Sequence, residues 1–153
     1  MTTVACEVGV SALVNMSQMT VSQMSIQNTT PSPQQRQHWL SEQALAWSGL
    51  PVVTIRPTVF LEGFFLRLVG PSVRDRDRIE LPFGRGKTSP VAAADVARVV
   101  AAVLADPGPH LGRIYELTGP RSQHIHGVAR EYSDALNSEV TYSDIPPRIG
   151  TGC

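Results

Sequence analysis

The sequence predicts an α/β fold built on a doubly wound parallel sheet, and three observations carry that expectation. The runs Ala12-Leu13-Val14 and Val52-Val53-Thr54-Ile55 are short and apolar without strict alternation, as in strands buried on both faces. Helix-period segments separate the strand-like ones, so the two types alternate along the chain. No segment recurs at a fixed period, which removes solenoid and propeller architectures.

Taken in order, Ala12 to Ser17 suits an inner strand ending in polar residues, and residues 18–33 lack any sustained period and read as a loop. A helix follows from about Gln34 to Trp47, with Leu40, Ala44 and Trp47 on one face and Gln34, His38 and Glu42 on another. Gly49 suits its carboxyl cap and Pro51 stops further winding. Val52 to Ile55 forms the next strand, and Pro57 takes the chain out of the sheet because it has no N–H for the ladder.

Leu61 to Val69 predicts a second helix closed by Gly70-Pro71, and Arg74-Asp75-Arg76-Asp77-Arg78 reads as a solvated connector whose charges offset one another. Val96, Val99, Val100, Val103 and Leu104 follow helical spacing, with Asp95 complementing the macrodipole and Asp106-Pro107-Gly108-Pro109 ending the helix. Arg113 to Thr118 alternates like a strand before Gly119-Pro120. Ser122 is the expected cap of a last helix striped with Ile125, Val128, Ala129, Tyr132 and Leu136, and Val140-Thr141-Tyr142 closes as a strand. Residues 148–153 have no periodicity and are expected to form a disordered tail.

With 153 residues, 42% of them hydrophobic, there is apolar material for one compact domain or a piece of a larger one. Lys plus Arg and Asp plus Glu both total 13, so no net field exists to hold nucleic acid or an anionic membrane. The start has no basic region followed by an apolar core, and no run is long enough for a transmembrane helix, so a cytoplasmic location is expected. Cys6 and Cys153 lack metal or redox spacing and are expected to be one small buried residue and one exposed tail residue. His124-x-His126 has no third donor nearby, so no metal site is expected.

Gly84-Arg85-Gly86-Lys87-Thr88 contains Gly-Lys-Thr, but a phosphate-binding P-loop needs a glycine where Leu81 stands and a strand directly before it; a flexible loop is expected. Several other pieces occur in a more specific order. They are Met16-Ser17 after a strand, His38-x-x-x-Glu42-x-x-Leu45-x-x-Ser48-Gly49-Leu50, Arg56-Pro57-Thr58-Val59-Phe60-Leu61-Glu62, Ser89-Pro90-Val91 leading to Asp95-Val96-Ala97, and Gly112 to Pro120. On these pieces, spanning about Gly9 to Pro147, the chain resembles the NmrA-like, atypical short-chain dehydrogenase-reductase family. The resemblance implies the C-terminal half of a Rossmann-like domain with a small substrate-side α/β region, NAD(P)H as cofactor, and a quinone, azo or similar small-molecule electron acceptor.

Three departures limit what carries over. The glycine fingerprint that lets the backbone approach a pyrophosphate is absent, so the N-terminal glycine-motif half is expected to lie outside this chain, and the fragment alone is expected to be inactive. The Tyr-x-x-x-Lys pair of many short-chain dehydrogenases falls on Gln34 and His38; glutamine cannot titrate, which disfavours tyrosine-type alcohol chemistry and leaves hydride transfer with protons from solvent. The third departure is the aperiodic end.

By resemblance, the cofactor side is expected at Ser17, His38, Pro57, Thr58 and Phe60, with His38 as the one candidate for a catalytic role. His38 either touches a ribose or substrate oxygen or is a half-buried helix-surface histidine. Ser17 either bonds a carboxamide or carbonyl or merely terminates its strand. Pro57, Thr58 and Phe60 either present backbone groups to a flat ring or form a structural turn beside a core phenylalanine. A parent protein is expected to be an oxidoreductase, or alternatively a non-enzymatic NAD(P)-sensing regulator. Open sheet edges and uncovered apolar faces make self-association the expected behaviour of the chain alone.

Overall fold

In a computed structural model, which describes residues 2–146, the elements are α1 (Thr2–Glu7), β1 (Leu13–Met16), a 3-10 turn (Met19–Gln23), α2 (Pro33–Trp47), β2 (Val52–Pro57) and a π-helical segment (Leu61–Val69). They continue as α3 (Gly70–Arg76), β3 (Arg78–Leu81), β4 (Lys87–Thr88), α4 (Ala93–Ala105), a 3-10 turn (Gly108–His110), β5 (Ile114–Leu117), β6 (Gln123–His124), α5 (Ile125–Leu136) and β7 (Thr141–Asp144). The chain divides into two units, Met1–Thr58 with Val91–Thr118, and Val59–Pro90 with Gly119–Cys153. The tail expected at 148–153, Cys153 included, lies outside the described residues.

The first unit holds a three-stranded parallel sheet in the order β1-β2-β5, with Leu13 opposite Val52 and Thr54 opposite Ile114. Its central strand is buried throughout its middle, Val53, Thr54 and Ile55 alike, which explains why the sequence there shows no polar alternation. β2 ends at Pro57 as its missing N–H requires, although Thr58 still donates to the Leu117 carbonyl at 2.9 Å. Gly49 takes φ +73 behind α2, the left-handed conformation expected at a helix end.

α2 corrects the sequence reading of its faces. Leu40 and Trp47 are exposed, Trp47 at 80%, and Glu42 is buried; the half-buried positions are Gln35, His38, Trp39, Gln43 and Leu45. The inward stripe runs through 35, 38, 39, 42 and 45, a helical spacing that an apolar-face rule passes over because its centre is a carboxylate. Residues 18–33 are not wholly irregular either, since the 3-10 turn buries Val21. On α4, Val96 and Val103 are buried while Leu104 faces outward. Cys6 is exposed rather than buried, its neighbour Ala5 taking the inward position.

The second unit is built around Phe65, Val69, Val73, Ile79, Ile125, Val128, Ala129 and Val140. β3 pairs in parallel with β7, Ile79 opposite Tyr142, and β4 pairs antiparallel with β6. The expected helix at Leu61 to Val69 is π-helical, and although Gly70 caps it, Gly70-Pro71 does not end the helical run. Instead the chain runs straight into α3, whose first turn accepts Pro71 because a proline N–H is not needed there. The expected charged connector is the last turn of α3, the left-handed cap Asp77 and the start of β3, with Arg76 and Arg78 both on Glu80. Gly84 to Thr88 is a tight turn and a short strand rather than a flexible loop, and His124, not Ser122, stands at the amino cap of α5. On α5 the expected stripe is inward except for Leu136, which is exposed.

Tyr132 of α5 donates its hydroxyl to the Phe65 carbonyl, which also accepts the Gly70 N–H that closes the π-helical segment. Burial holds the phenol above its ordinary pKa, so it remains a neutral donor through the physiological range. An acid raised on folding stabilises the fold below its unfolded pKa, and that contribution is lost as pH rises through the folded value. Tyr132→Phe is therefore expected to cost about 1 kcal/mol near neutrality and to flatten the loss of stability above about pH 10, read by urea unfolding at a series of pH values.

Candidate functional site

The carboxyl ends of β1 and β2 form the edge at which parallel α/β sheets take ligands. Met16 stands opposite Ile55 in the ladder, and the Ser17 N–H donates to the Ile55 carbonyl at 2.8 Å, so Ser17 extends the pairing one step beyond β1 and lies beside the Arg56-Pro57 end of β2. Ser17 is buried at 4% exposure, yet its hydroxyl has no hydrogen-bond partner among the described residues. The Asn15 and Gln18 amide nitrogens on the same short stretch are buried and unpartnered as well. Leaving a buried polar atom unsatisfied costs about 1–3 kcal/mol, so three within four residues single out this stretch at the carboxyl end of β1.

Of the residues expected at the site, the first unit contains Ser17, His38, Pro57 and Thr58. His38 is half-buried on the inward stripe of α2, the helix that packs on the Met19–Gln23 turn and on β2. Among the described residues no side-chain hydrogen bond joins His38 to Ser17. Pro57 is buried as the last residue of the central strand and Thr58 follows it half-buried. Phe60 belongs to the second unit, where it precedes the π-helical segment and accepts the Phe64 N–H at 3.1 Å. Gln34, at the position of the family tyrosine, is exposed.

Sequence reading missed the ion-pair network beneath this edge. Arg56 on β2 grips Glu42 of α2 with both Nε, at 3.0 Å, and Nη2, at 2.6 Å, and reaches Glu116 of β5 at 3.4 Å. Glu42 is 7% exposed and the Arg56 side chain 15%. The Glu42 hydrogen bond leads in raising the Arg56 pKa above its ordinary value against the opposing cost of burial, so the guanidinium remains charged. The network ties helix, central strand and edge strand together directly before Pro57. Its signal in the sequence is Arg56 itself, a cation in a strand otherwise apolar. Asn15, an amide inside the half-buried strand β1, and Gln18, just beyond its end, carry a similar signal.

No family model matches the chain. It is 32% identical over 113 residues to the NAD(P)H azoreductase of Xenophilus azovorans, an alignment covering 72% of this chain and 38% of that protein. It is 26% identical over 118 residues to quinone oxidoreductase 2 of Escherichia coli, covering 77% and 40%. The (4-alkanoyl-5-oxo-2,5-dihydrofuran-3-yl)methyl phosphate reductase of Streptomyces griseus is 26% identical over 141 residues, covering 92% and 48%. The chain thus spans less than half the length of these curated relatives.

Among solved structures, the NADPH complex of an NADPH-dependent quinone oxidoreductase from Escherichia coli superposes with a TM-score of 0.81 at 24% identity, covering 94% of this chain and 48% of that one. A nucleoside-diphosphate-sugar epimerase from Staphylococcus aureus superposes with a TM-score of 0.79 at 20% identity, covering 95% and 49%. The fold is Rossmann-like, and the chain is a distant relative of NAD(P)H-dependent oxidoreductases.

Proposed function

We propose that this chain supplies the nicotinamide and acceptor side of an NmrA-like, NAD(P)H-dependent oxidoreductase whose glycine-rich phosphate-binding half lies outside these 153 residues. The unpartnered Ser17 hydroxyl at the carboxyl end of β1 carries this reading, since it is a buried polar group with no hydrogen-bond partner among the described residues. The likeness to an azoreductase and a quinone oxidoreductase supports a quinone, azo or similar acceptor.

The cofactor, when bound, supplies a hydride. Ser17, Asn15 and Gln18 would hold polar groups of the nicotinamide or acceptor, while Pro57 and Thr58 wall the edge and His38 backs it from α2. The buried Arg56–Glu42 pair keeps β2 and α2 in register beneath them. Gln34 cannot donate a proton, so the proton that completes reduction of a quinone to its quinol comes from solvent: one hydride and one proton enter, and the oxidised nicotinamide leaves.

Ser17→Ala separates a ligand-binding serine from a structural one. If the hydroxyl waits for a ligand, the alanine variant gains about 1 kcal/mol of stability, because a buried unsatisfied group is gone, and loses roughly tenfold in affinity for reduced nicotinamide mononucleotide. Thermal melting and amide chemical shifts at residues 15–18 and 57–58 report the two effects. A destabilised variant with unchanged affinity would overturn the assignment, and micromolar NADPH binding by this chain alone would overturn the division between halves. In the complete polypeptide, NADPH consumption with a quinone supports the reductase, whereas binding without turnover supports a redox-sensing regulator.

A further inference from the structure

The second unit carries an open surface cavity of about 650 Å³, apart from the proposed nicotinamide edge, lined by the exposed side chains of Arg85, Lys87, His124, His126 and Arg130 and by no carboxylate. Its size falls within the range that takes small organic molecules. Elsewhere Arg74, Arg76, Arg78, Arg98 and Arg121 each sit against an Asp or Glu. Among the described residues, Arg85, Lys87 and Arg130 make no ion pair. Two acids beside the lining residues are already engaged: Glu131 holds Arg121 at 2.9 Å, and Asp144 accepts the Gly84 N–H at 2.9 Å and the Tyr142 hydroxyl at 3.0 Å.

The backbone builds this concentration of positive charge. Lys87 stands directly opposite His124 in the β4–β6 ladder, so two basic side chains share one cross-strand pair, an arrangement that gains from an anion lying between them. Gly84, at φ +51, and the Gly86 N–H bonded to the Phe83 carbonyl at 2.7 Å hold the turn that presents Arg85. A Cβ at Gly86 would sit 2.9 Å from that carbonyl, so the turn is tight. α5 begins at this cavity with His126 and Gly127 in its first turn, and its positive end adds to the same field.

We propose that this cavity binds the tetrahedral oxyanion of a small organic molecule, a phosphate monoester being the form its several convergent cations fit best. Arg130 and Arg85 supply planar, fork-like donors and Lys87 a point charge, the combination suited to a dianion with three terminal oxygens. The site stands on the second unit alone and goes beyond the oxidoreductase reading, holding whether or not that reading does.

The test is a titration of the full chain with phenyl phosphate, followed by backbone amide shifts with no nicotinamide cofactor present. Saturable shifts concentrated at residues 84–88 and 122–130 are expected, with phenol producing none. Arg130→Gln and Lys87→Gln should each weaken binding roughly tenfold, the loss of one charge-assisted contact, while Arg74→Gln, already paired with Asp75, leaves it unchanged. Arg85→Gln, on the exposed turn, provides the same readout should Arg130→Gln fail to fold. Shifts that do not saturate, an equal response to phenol, or binding undiminished by the substitutions at 85, 87 and 130 would overturn the proposal. Because NAD(P)H takes no part, such a failure would leave the nicotinamide assignment standing.

Discussion

Glu42→Ala is expected to destabilise the chain by about 3 kcal/mol, a fall of about 6–12 °C in melting temperature. The variant leaves the Arg56 guanidinium in a largely water-free position with only Glu116 at 3.4 Å, a partner that is itself 45% exposed. A buried charge stripped of its main partner costs far more than the intact pair contributes. The contrast lies in the double variant: Glu42→Leu with Arg56→Met removes both charges and should recover most of the lost stability. Calorimetric melting of the two variants checks the assignment. Equal destabilisation by the single and double changes would show that Glu42 acts through packing alone.

Gly119→Ala is expected to cost about 3 kcal/mol or more, because a Cβ there would fall 1.9 Å from the Pro90 carbonyl oxygen and 2.9 Å from its carbon. The obstacle is backbone and cannot rotate aside as a side chain would. The Gly119 N–H also donates to the Ser89 carbonyl at 3.0 Å, so the two segments would have to separate and give up that bond. Gly63→Ala is the control: nothing lies within 4 Å of its Cβ position, and alanine in a helical segment should stabilise by about 0.5–1 kcal/mol. Chemical denaturation of both variants gives opposite signs if close approach, rather than glycine content, governs the effect.

Legibility in the sequence followed the kind of force involved. β2 was readable because Val52 to Ile55 are β-branched and bounded by Pro51 and Pro57, all local properties. α4 and α5 were readable because their apolar positions repeat at helical spacing. α2 was located correctly but turned the wrong way, since its inward face is centred on Glu42 and the reason, Arg56, is fourteen residues away on another element. β3 was missed for a related cause: Arg78 and Glu80 hide a four-residue strand whose inward member is Ile79, and its pairing partner lies on β7. At the carboxyl edge of β1, Ser17 was visible as a strand-end hydroxyl. Its lack of a partner was not, because that depends on every neighbour the fold brings near.

Residue types and their spacing alone determined the α/β alternation, the boundaries of most helices and strands, the absent glycine fingerprint and the non-titrating Gln34, since each depends only on near neighbours along the chain. Only the tertiary structure decided that Glu42 is buried against Arg56, that three polar atoms near Ser17 are left unsatisfied, and that Arg85, Lys87 and Arg130 converge on one cavity. The physical reason is that burial and electrostatic pairing are set by distance through space, and the residues concerned are separated by up to 45 positions in the chain, Arg85 to Arg130 being the longest of these reaches.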